Sequence, residues 1–209
     1  MQKVLLHLWF DRDAEQAVSR YVSLFPDAGI DRRSVIRNSP SGDAEVFEFH
    51  LAGVHFQAIN GGPHFKLNEA ISISVECGTE EDLRRMASGL LEGGQEVVHL
   101  QAYSFSPLYG WLRDRWGVHW QFLKTDSPGI RVIPDMMFSG AVNGKAEEAL
   151  RFYASLMPGS SVDAVSAYGP GEARVEEARH EYVLATLGGT AISAGDSPTP
   201  RDVPFNEGV

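Results

Sequence analysis

The pattern of apolar and polar residues along this chain predicts strands and helices in the order β-α-β-β-β, three times over. Val4–Phe10 is an almost continuous apolar run, which is typical of a buried strand. Asp13, followed three residues later by Gln16, predicts the capped start of a helix. Apolar residues then recur at helical spacing as far as Phe25, and Pro26 marks the end of the helix.

Strands and loops alternate in the same way after this first helix. The first set continues with strands at residues 32–38, 45–51 and 55–60, the last two joined by the hairpin connection Ala52-Gly53. The second set has a strand at 71–76, a helix capped by Thr79, and strands near 96–100, 110–113 and 118–124. After the loop 125–129, the third set has a strand at 132–138, a helix at 145–157, and strands near 161–168, 178–186 and 189–194.

One helical segment occurs twice in the sequence. Ala14–Pro26 and Ala146–Pro158 are identical at seven of thirteen positions, and the match resumes at Asn68–Ile71 against Asn206–Val209. Such a repeat indicates that one structural unit is used more than once. We therefore expect a complete module of two βαβββ units at 1–125, a linker at 126–130, and a third unit at 131–209 that forms half of a second module.

An unpaired third unit would expose the apolar face of its sheet, which favours association. The sequence therefore predicts a homodimer that covers this face, or a longer protein of four units. The net charge of −10 disfavours nucleic acid and anionic membranes as partners, and no apolar run approaches the roughly 20 residues of a membrane span. Cys77 is the single cysteine, which excludes an internal disulfide and favours the cytoplasm.

Three motifs together resemble one protein family. They are Leu8-Trp9-Phe10-Asp11 with the helix that follows it, Asn60-Gly61-Gly62-Pro63-His64-Phe65, and the aromatic-rich run Gly110–Gln121. The combination resembles the PhnB-like proteins of the vicinal oxygen chelate superfamily, the glyoxalase/bleomycin-resistance/dioxygenase fold. This subgroup often has the description 3-demethylubiquinone-9 3-methyltransferase. The resemblance implies an α+β fold, in which paired βαβββ units form a curled mixed sheet around a pocket for a small molecule.

The resemblance also implies where a metal would bind. In metal-dependent members the ligands would correspond to positions near Leu6, Ala70 and Gln121. Leu6 and Ala70 cannot ligate a metal, and Gln121 is a weak neutral ligand where a carboxylate is expected. We therefore expect no metal and no other cofactor. The alternative is a displaced site for a divalent metal among the histidines of the first module, namely His7, His50, His55, His64 and His119.

Aromatic and amide residues on the predicted strands favour a pocket for a planar or apolar ligand. The candidate ligand-binding residues, chosen by strand parity and by resemblance, are Leu6, Leu8, Phe10, Gln57, Asn60, Trp111, His119 and Gln121. Asn60 with the two glycines that follow it is also a turn signal. The first hypothesis for function is therefore a protein that binds or sequesters a small molecule.

Enzyme function is the second hypothesis, with isomerase, lyase or oxygenase chemistry. It needs an acid or base near the pocket, and the candidates are Glu48, His50 and His64. A small-molecule methyltransferase is a further alternative from the family description, but the first strand leads into its helix without the glycine-rich turn of most such enzymes. Cys77 has no histidine near it in sequence and is expected to be a buried structural residue. A third hypothesis is a dimerising scaffold.

Overall fold

The computed structural model describes residues 4–208. Met1 to Lys3 and Val209, the last residue of the repeat alignment, lie outside the described part. The strands are β1 Leu6–Phe10, β2 Gly29–Ser39, β3 Gly42–Leu51, β4 Val54–Asn60, β5 Ile71–Cys77, β6 Gln95–Tyr103, β7 Ser106–Arg113, β8 His119–Lys124, β9 Ile130–Phe138, β10 Ser161–Ala167, β11 His180–Leu187 and β12 Thr190–Asp196. The helices are α1 Ala14–Leu24, α2 Glu80–Leu91 and α3 Ala146–Leu156, with a 3-10 turn at Gly140–Val142.

The order and type of these elements agree with the sequence pattern, and the α+β class is confirmed. Thr79 caps α2 as predicted, because its side-chain oxygen accepts a hydrogen bond from the backbone N–H of Asp82. Strand β7 begins at Ser106, four residues earlier than predicted, because Pro107 disfavours a strand in the sequence pattern but is tolerated near a strand end. Across residues 4–208, no helix is both long and apolar enough to cross a bilayer.

The chain divides into two compact units. The larger one contains Leu6–Asn68, Ile73–Val132 and the residues from Asn206 onwards, and the smaller one contains the residues up to Leu5, Glu69–Ser72 and Ile133–Phe205. Strands β5 and β9 therefore each have residues in both units.

The larger unit has two groups of four strands. The first is a sheet in the order β1-β4-β3-β2, in which β1 and β4 are parallel and the other pairs are antiparallel. The second group has the order β5-β8-β7-β6, again with one parallel pair, β5 with β8. Each group follows the same rule, since the first strand pairs with the last strand of its own βαβββ unit.

One hydrophobic core joins both groups of strands and both helices of the larger unit. It contains Leu8, Phe10 and Phe49 from the first group, Trp120 and Phe122 from the second, and the apolar faces of α1 and α2. Gly89 lets α2 approach α1 closely, since a Cβ at this position would lie 2.5 Å from the side chain of Leu24 on α1. The two groups of strands therefore meet through the faces that their helices cover.

A buried carboxylate lies within this core. Asp114, between β7 and β8, is 2% exposed, and its Oδ2 accepts hydrogen bonds from the Tyr21 hydroxyl at 2.6 Å and the Trp120 indole N–H at 3.0 Å. Its Oδ1 accepts from the backbone N–H groups of Trp116 and Val118. Burial raises the pKa of Asp114, and these four donors oppose the rise. Asp114 thus connects α1 of the first βαβββ unit to the turn and last strand of the second.

The smaller unit has strands in the order β10-β11-β12-β9, and α3 packs on them through Ala146 and Leu150. Asp196, at the end of β12, is the buried carboxylate of this unit. Its Oδ1 accepts hydrogen bonds from the backbone N–H groups of Gly144 and Ala146, and its Oδ2 accepts from those of Arg179 and His180. The start of α3 and the start of β11 are therefore held by one side chain.

Replacing Asp114 by Asn should lower the free energy of unfolding by about 3 kcal/mol, because an amide nitrogen cannot accept the Trp120 N–H. Urea unfolding followed by tryptophan fluorescence would measure the loss. The raised pKa of Asp114 means that its contribution to stability is fully present below an unfolded-state pKa of about 4 and declines as pH rises through the folded-state value. The variant should lack this decline.

Asp43→Asn is the matched control, because Asp43 is exposed and pairs with Arg37 at the surface. Surface pairs contribute little to stability, so this variant should unfold close to the wild-type urea concentration. Equal losses in both variants would contradict a structural contribution of Asp114.

Candidate functional site

The first sheet of the larger unit has one face covered by α1 and one face that is not. Leu6, Leu8 and Phe10, three of the predicted ligand-binding residues, belong to the covered face. Leu8 and Phe10 are 1% and 4% exposed and pack in the core with Ala14 and Ala17 of α1. The structure thus places these three side chains beneath a helix.

Asn60 lies at the end of β4 and caps α1. Its Oδ1 accepts a hydrogen bond from the backbone N–H of Ala14 at 2.9 Å, and its Nδ2 donates to Glu45 Oε2 at 3.1 Å. Among the described residues, Asp13 makes no side-chain hydrogen bond to the helix, so the capping box predicted from Asp13 and Gln16 is not formed. A distant residue satisfies the helix terminus instead.

The opposite face of the same sheet has a different chemistry. His7 of β1 and Glu48 of β3 both pair in register with Gln57 of β4, so these three side chains share a face. His7 is exposed, but desolvation by the surrounding atoms lowers its pKa. Glu48 lies 3.9 Å from Arg32, a loose ion pair at the surface. These polar groups are accessible to a ligand from the side away from α1.

The predicted motif Asn60–Phe65 packs against Trp9 at one end of this face. The indole N–H of Trp9 donates to the Gly62 carbonyl at 2.7 Å, and Phe65 stacks edge-on against the indole with ring centroids 4.9 Å apart. A Cβ at Gly61 would lie 2.3 Å from the indole ring, which explains a glycine there. His64 is exposed and lies 2.8 Å from the Ser41 hydroxyl.

Two polar pairs occupy the face of the second strand group that lies away from α2. The Tyr109 hydroxyl donates to Gln121 Oε1 at 2.6 Å, and the Trp111 indole N–H donates to His119 Nδ1 at 3.2 Å. Trp111, His119 and Gln121 were all predicted to bind ligand, and the structure brings them together on β7 and β8. The indole donor fixes the His119 tautomer with its proton on Nε2.

The structure therefore sorts the predicted residues into separate groups. Gln57 and Glu48 lie on the outer face of the first sheet, while Gln121 and His119 lie on the outer face of the second strand group. Because the two groups of strands meet through their helix-covered faces, these outer faces point away from each other within the larger unit. The first two βαβββ units do not place them in one pocket.

A cavity of about 310 Å³ lies on the helix side of the second strand group. Its walls come from α2 and from strands β6, β7 and β8, and they are almost wholly apolar. The lining residues are Arg84, Ala87, Ser88, Leu91, Glu96, Val98, Leu100, Gly110, Trp111, Leu112 and Phe122. Of the predicted ligand-binding residues, Trp111 is the one among the lining residues, although its indole donates to His119 on the opposite face of the strands. The apolar residues Val98 and Leu100 on β6, with Leu91 on α2, are the sequence signal that could have located this cavity.

Cys77 ends strand β5 and is completely buried. Burial raises the pKa of its thiol to about 12, so the residue remains protonated at neutral pH. A nucleophilic cysteine needs the opposite shift. The buried position agrees with the structural interpretation of this residue.

Three potential metal ligands come together at the other end of the first sheet. Asp31 lies at a bulge in β2, and His50 and His55 face each other across the β3–β4 hairpin. Their ligand atoms lie within 4.8 Å of one another. The two histidines were among the residues of the displaced-site alternative, but Asp31 was not identified from sequence because a bulge shifts which strand residues share a face.

The positions to which family resemblance assigned metal ligands have other contacts. Leu6 packs against the core of the larger unit, and Ala70 is fully buried in the smaller unit. Gln121 accepts the hydrogen bond from Tyr109. Neither a histidine nor a carboxylate stands at these three positions, so the residues there do not fit a divalent metal.

Comparison with known proteins gives consistent matches. The model of a family described as 3-demethylubiquinone-9 3-methyltransferase matches residues 2–123. Among solved structures, the chain is similar to the PhnB protein from Bacillus cereus, with 32% identity, a TM-score of 0.55, and coverage of 59% of this chain and 100% of that one. No protein with a curated description matches the chain.

More distant structures share the fold. Protein PA1353 from Pseudomonas aeruginosa is 19% identical, with a TM-score of 0.50 and coverage of 59% of this chain and 98% of that one. Glyoxalase I from Zea mays is 10% identical, with a TM-score of 0.57 and coverage of 92% of this chain and 66% of that one. At these identities the similarity concerns the fold alone.

Replacing Asn60 by Ala should lower the free energy of unfolding by about 1 kcal/mol, because the first turn of α1 loses its cap. Gln57→Ala, on the same strand but on the outer face, should change it by less than about 0.5 kcal/mol. Urea titrations of both variants would measure the difference. If the two variants were equally stable, the capping contribution of Asn60 would be contradicted.

Proposed function

The chain belongs to the 3-demethylubiquinone-9 3-methyltransferase family, a PhnB-like group of the vicinal oxygen chelate superfamily, and we propose that it binds a small apolar or planar molecule. The observation that supports this function is the cavity beneath α2. A volume of about 310 Å³ is at the lower end of the range of small-molecule sites, which run from about 300 to 1,000 Å³. The fold alone does not define a ligand, so the proposal depends on the walls of this cavity.

The cavity walls suit an apolar ligand. Leu100, Leu112 and Phe122 supply apolar surface, and Gly110 on β7 adds no side chain to the wall. The charged residues Arg84 and Glu96 are exposed, so they can orient a polar end of the ligand without being buried. Glu48, His50 and His64, the candidate acids and bases, are on the first sheet or its loop and do not line the cavity. This arrangement favours binding over proton-transfer chemistry at this position.

Ser88 of α2 offers a way to block the cavity without changing the core. It is exposed, lines the cavity, and its hydroxyl donates to the Arg84 carbonyl. Ser88→Phe should weaken binding of the apolar fluorescent probe N-phenyl-1-naphthylamine at least tenfold, or about 1.4 kcal/mol, because the ring occupies the probe's space. Titration of probe fluorescence would measure the affinity.

The matched control is Ser23→Phe on α1. Ser23 is also exposed, and its hydroxyl also donates to a carbonyl in the preceding turn, that of Arg20. This variant should bind the probe as the wild type does. Wild-type affinity in Ser88→Phe, or equal loss in both variants, would contradict binding beneath α2.

We also propose that the chain forms a homodimer through α3. Leu156 and Phe152 on its outer side are 63% and 58% exposed. At the position on α1 that matches Leu156 in the sequence repeat, Leu24 is covered by Gly89 of α2. Two large apolar side chains one turn apart on an exposed helix are typical of a surface that another molecule covers.

Leu156→Ser should shift the chain from dimer to monomer, because it removes apolar surface from the proposed contact. Light scattering during gel filtration at several protein concentrations would measure the mass. Ile36→Ser, at another exposed apolar residue on β2, should leave the mass unchanged. A wild-type chain that is monomeric at high micromolar concentration would contradict the dimer.

A further inference from the structure

The geometry of Asp31, His50 and His55 points to a binding site for Zn²⁺ on the first sheet, and we propose that these three residues are its ligands. The site is separate from the cavity of the proposed function, since none of the three residues lines that cavity. It also differs from the positions to which resemblance assigned metal ligands. The proposal therefore depends on the local geometry alone.

The backbone fixes the two imidazoles relative to each other. His50 and His55 are direct partners in the antiparallel register of β3 and β4, so their side chains leave the sheet on the same face. The hairpin turn between them has positive φ at both Ala52 and Gly53, which is the two-residue turn that fits antiparallel strands. The register cannot slip without changing this turn, and the rings lie 5.8 Å apart between centroids.

Asp31 completes the group from β2. The pairing of β2 with β3 shifts between Ile30 and Arg32, and this bulge directs the Asp31 side chain towards the histidines. Its Oδ1 lies 2.7 Å from His50 Nδ1, and its Oδ2 lies 3.2 Å from His55 Nδ1. One carboxylate thus lies between two imidazoles.

These distances suit a small divalent cation. Tetrahedral zinc with bonds of about 2.1 Å holds its ligand atoms about 3.4 Å apart, close to the two Asp31–histidine separations of 2.7 and 3.2 Å. Two imidazoles and one carboxylate form a ligand set typical of zinc, whereas Mg²⁺ and Ca²⁺ prefer oxygen ligands alone. Coordination through Nδ1 only requires the proton of each neutral ring to move to Nε2.

The surroundings hold the ligands in place but leave the site open. A Cβ at Gly29, the register partner of His50, would lie 3.1 Å from His50 Cε1, so the glycine makes room for the ring. The His50, Asp31 and His55 side chains are 24%, 34% and 56% exposed. A zinc ion held by three protein ligands on this surface would keep a fourth position for water or a ligand anion.

Zinc binding should be measured on untagged protein by competition with a chromophoric chelator. We expect one Zn²⁺ per chain, and affinities at least tenfold weaker in His55→Ala and Asp31→Asn. Both residues are partly exposed, and Asn has the shape of Asp, so these variants should melt as the wild type does in the absence of zinc. Gly29→Ala, which displaces the His50 ring without removing a ligand, should weaken binding by a smaller factor.

His99→Ala is the matched control. His99 is an exposed imidazole whose Nδ1 lies 3.0 Å from the Glu96 carboxylate, so it reproduces one imidazole–carboxylate pair on the surface of another strand. This variant should bind zinc as the wild type does. The proposal is overturned if the wild type does not bind, if His55→Ala and Asp31→Asn bind normally, or if His99→Ala loses as much affinity. Probe binding beneath α2 should be unchanged in His55→Ala, Asp31→Asn and Gly29→Ala, so failure here leaves the proposed function intact.

Discussion

Within the larger unit, four hydrogen bonds to the buried Asp114 carboxylate fix how α1 packs against the second group of strands. Tyr21 on α1 and Trp120 on β8 donate to the same oxygen, so the first helix and the second group of strands are held against each other. A buried carboxylate without these donors would be costly, which makes this packing specific. The helix-covered faces thereby become the interior, and the residues that alternate with them point outwards.

Strand parity was predictable from the sequence, but the covered side was not. The alternation of Leu6, Leu8 and Phe10 with His7 and Trp9 defines two faces of β1. Both faces contain large apolar residues, so the pattern does not say which one α1 covers. The family resemblance favoured the face of Leu6 as the pocket, whereas the structure places the helix there. Long-range packing decides this choice, and it is not encoded in any local pattern.

The helix caps show a second limit of local patterns. Asn60 and Asp196 each end the last strand of a βαβββ unit, and each accepts the backbone N–H of the first residue of that unit's helix, Ala14 or Ala146. The physical need is the same, because a helix start leaves free N–H groups. The partner is about 50 residues away in sequence in both cases. The capping-box motif considers only residues within one helical turn and therefore predicts Asp13 as the cap. Among the described residues, Asp13 makes no such bond.

The two proposed sites depend on different features of the fold, strand register for one and helix packing for the other. A hairpin with a two-residue turn fixes His50 opposite His55, so a ligand pair on the outer face follows from local sequence once the turn is known. The third ligand, Asp31, depends on a bulge whose position follows from pairing with β3. The cavity beneath α2 instead depends on the distance between a helix and a sheet, which the core and Asp114 set. A change in core packing should therefore alter the cavity first, whereas the Asp31–His50–His55 group should persist as long as the β2–β3–β4 register does.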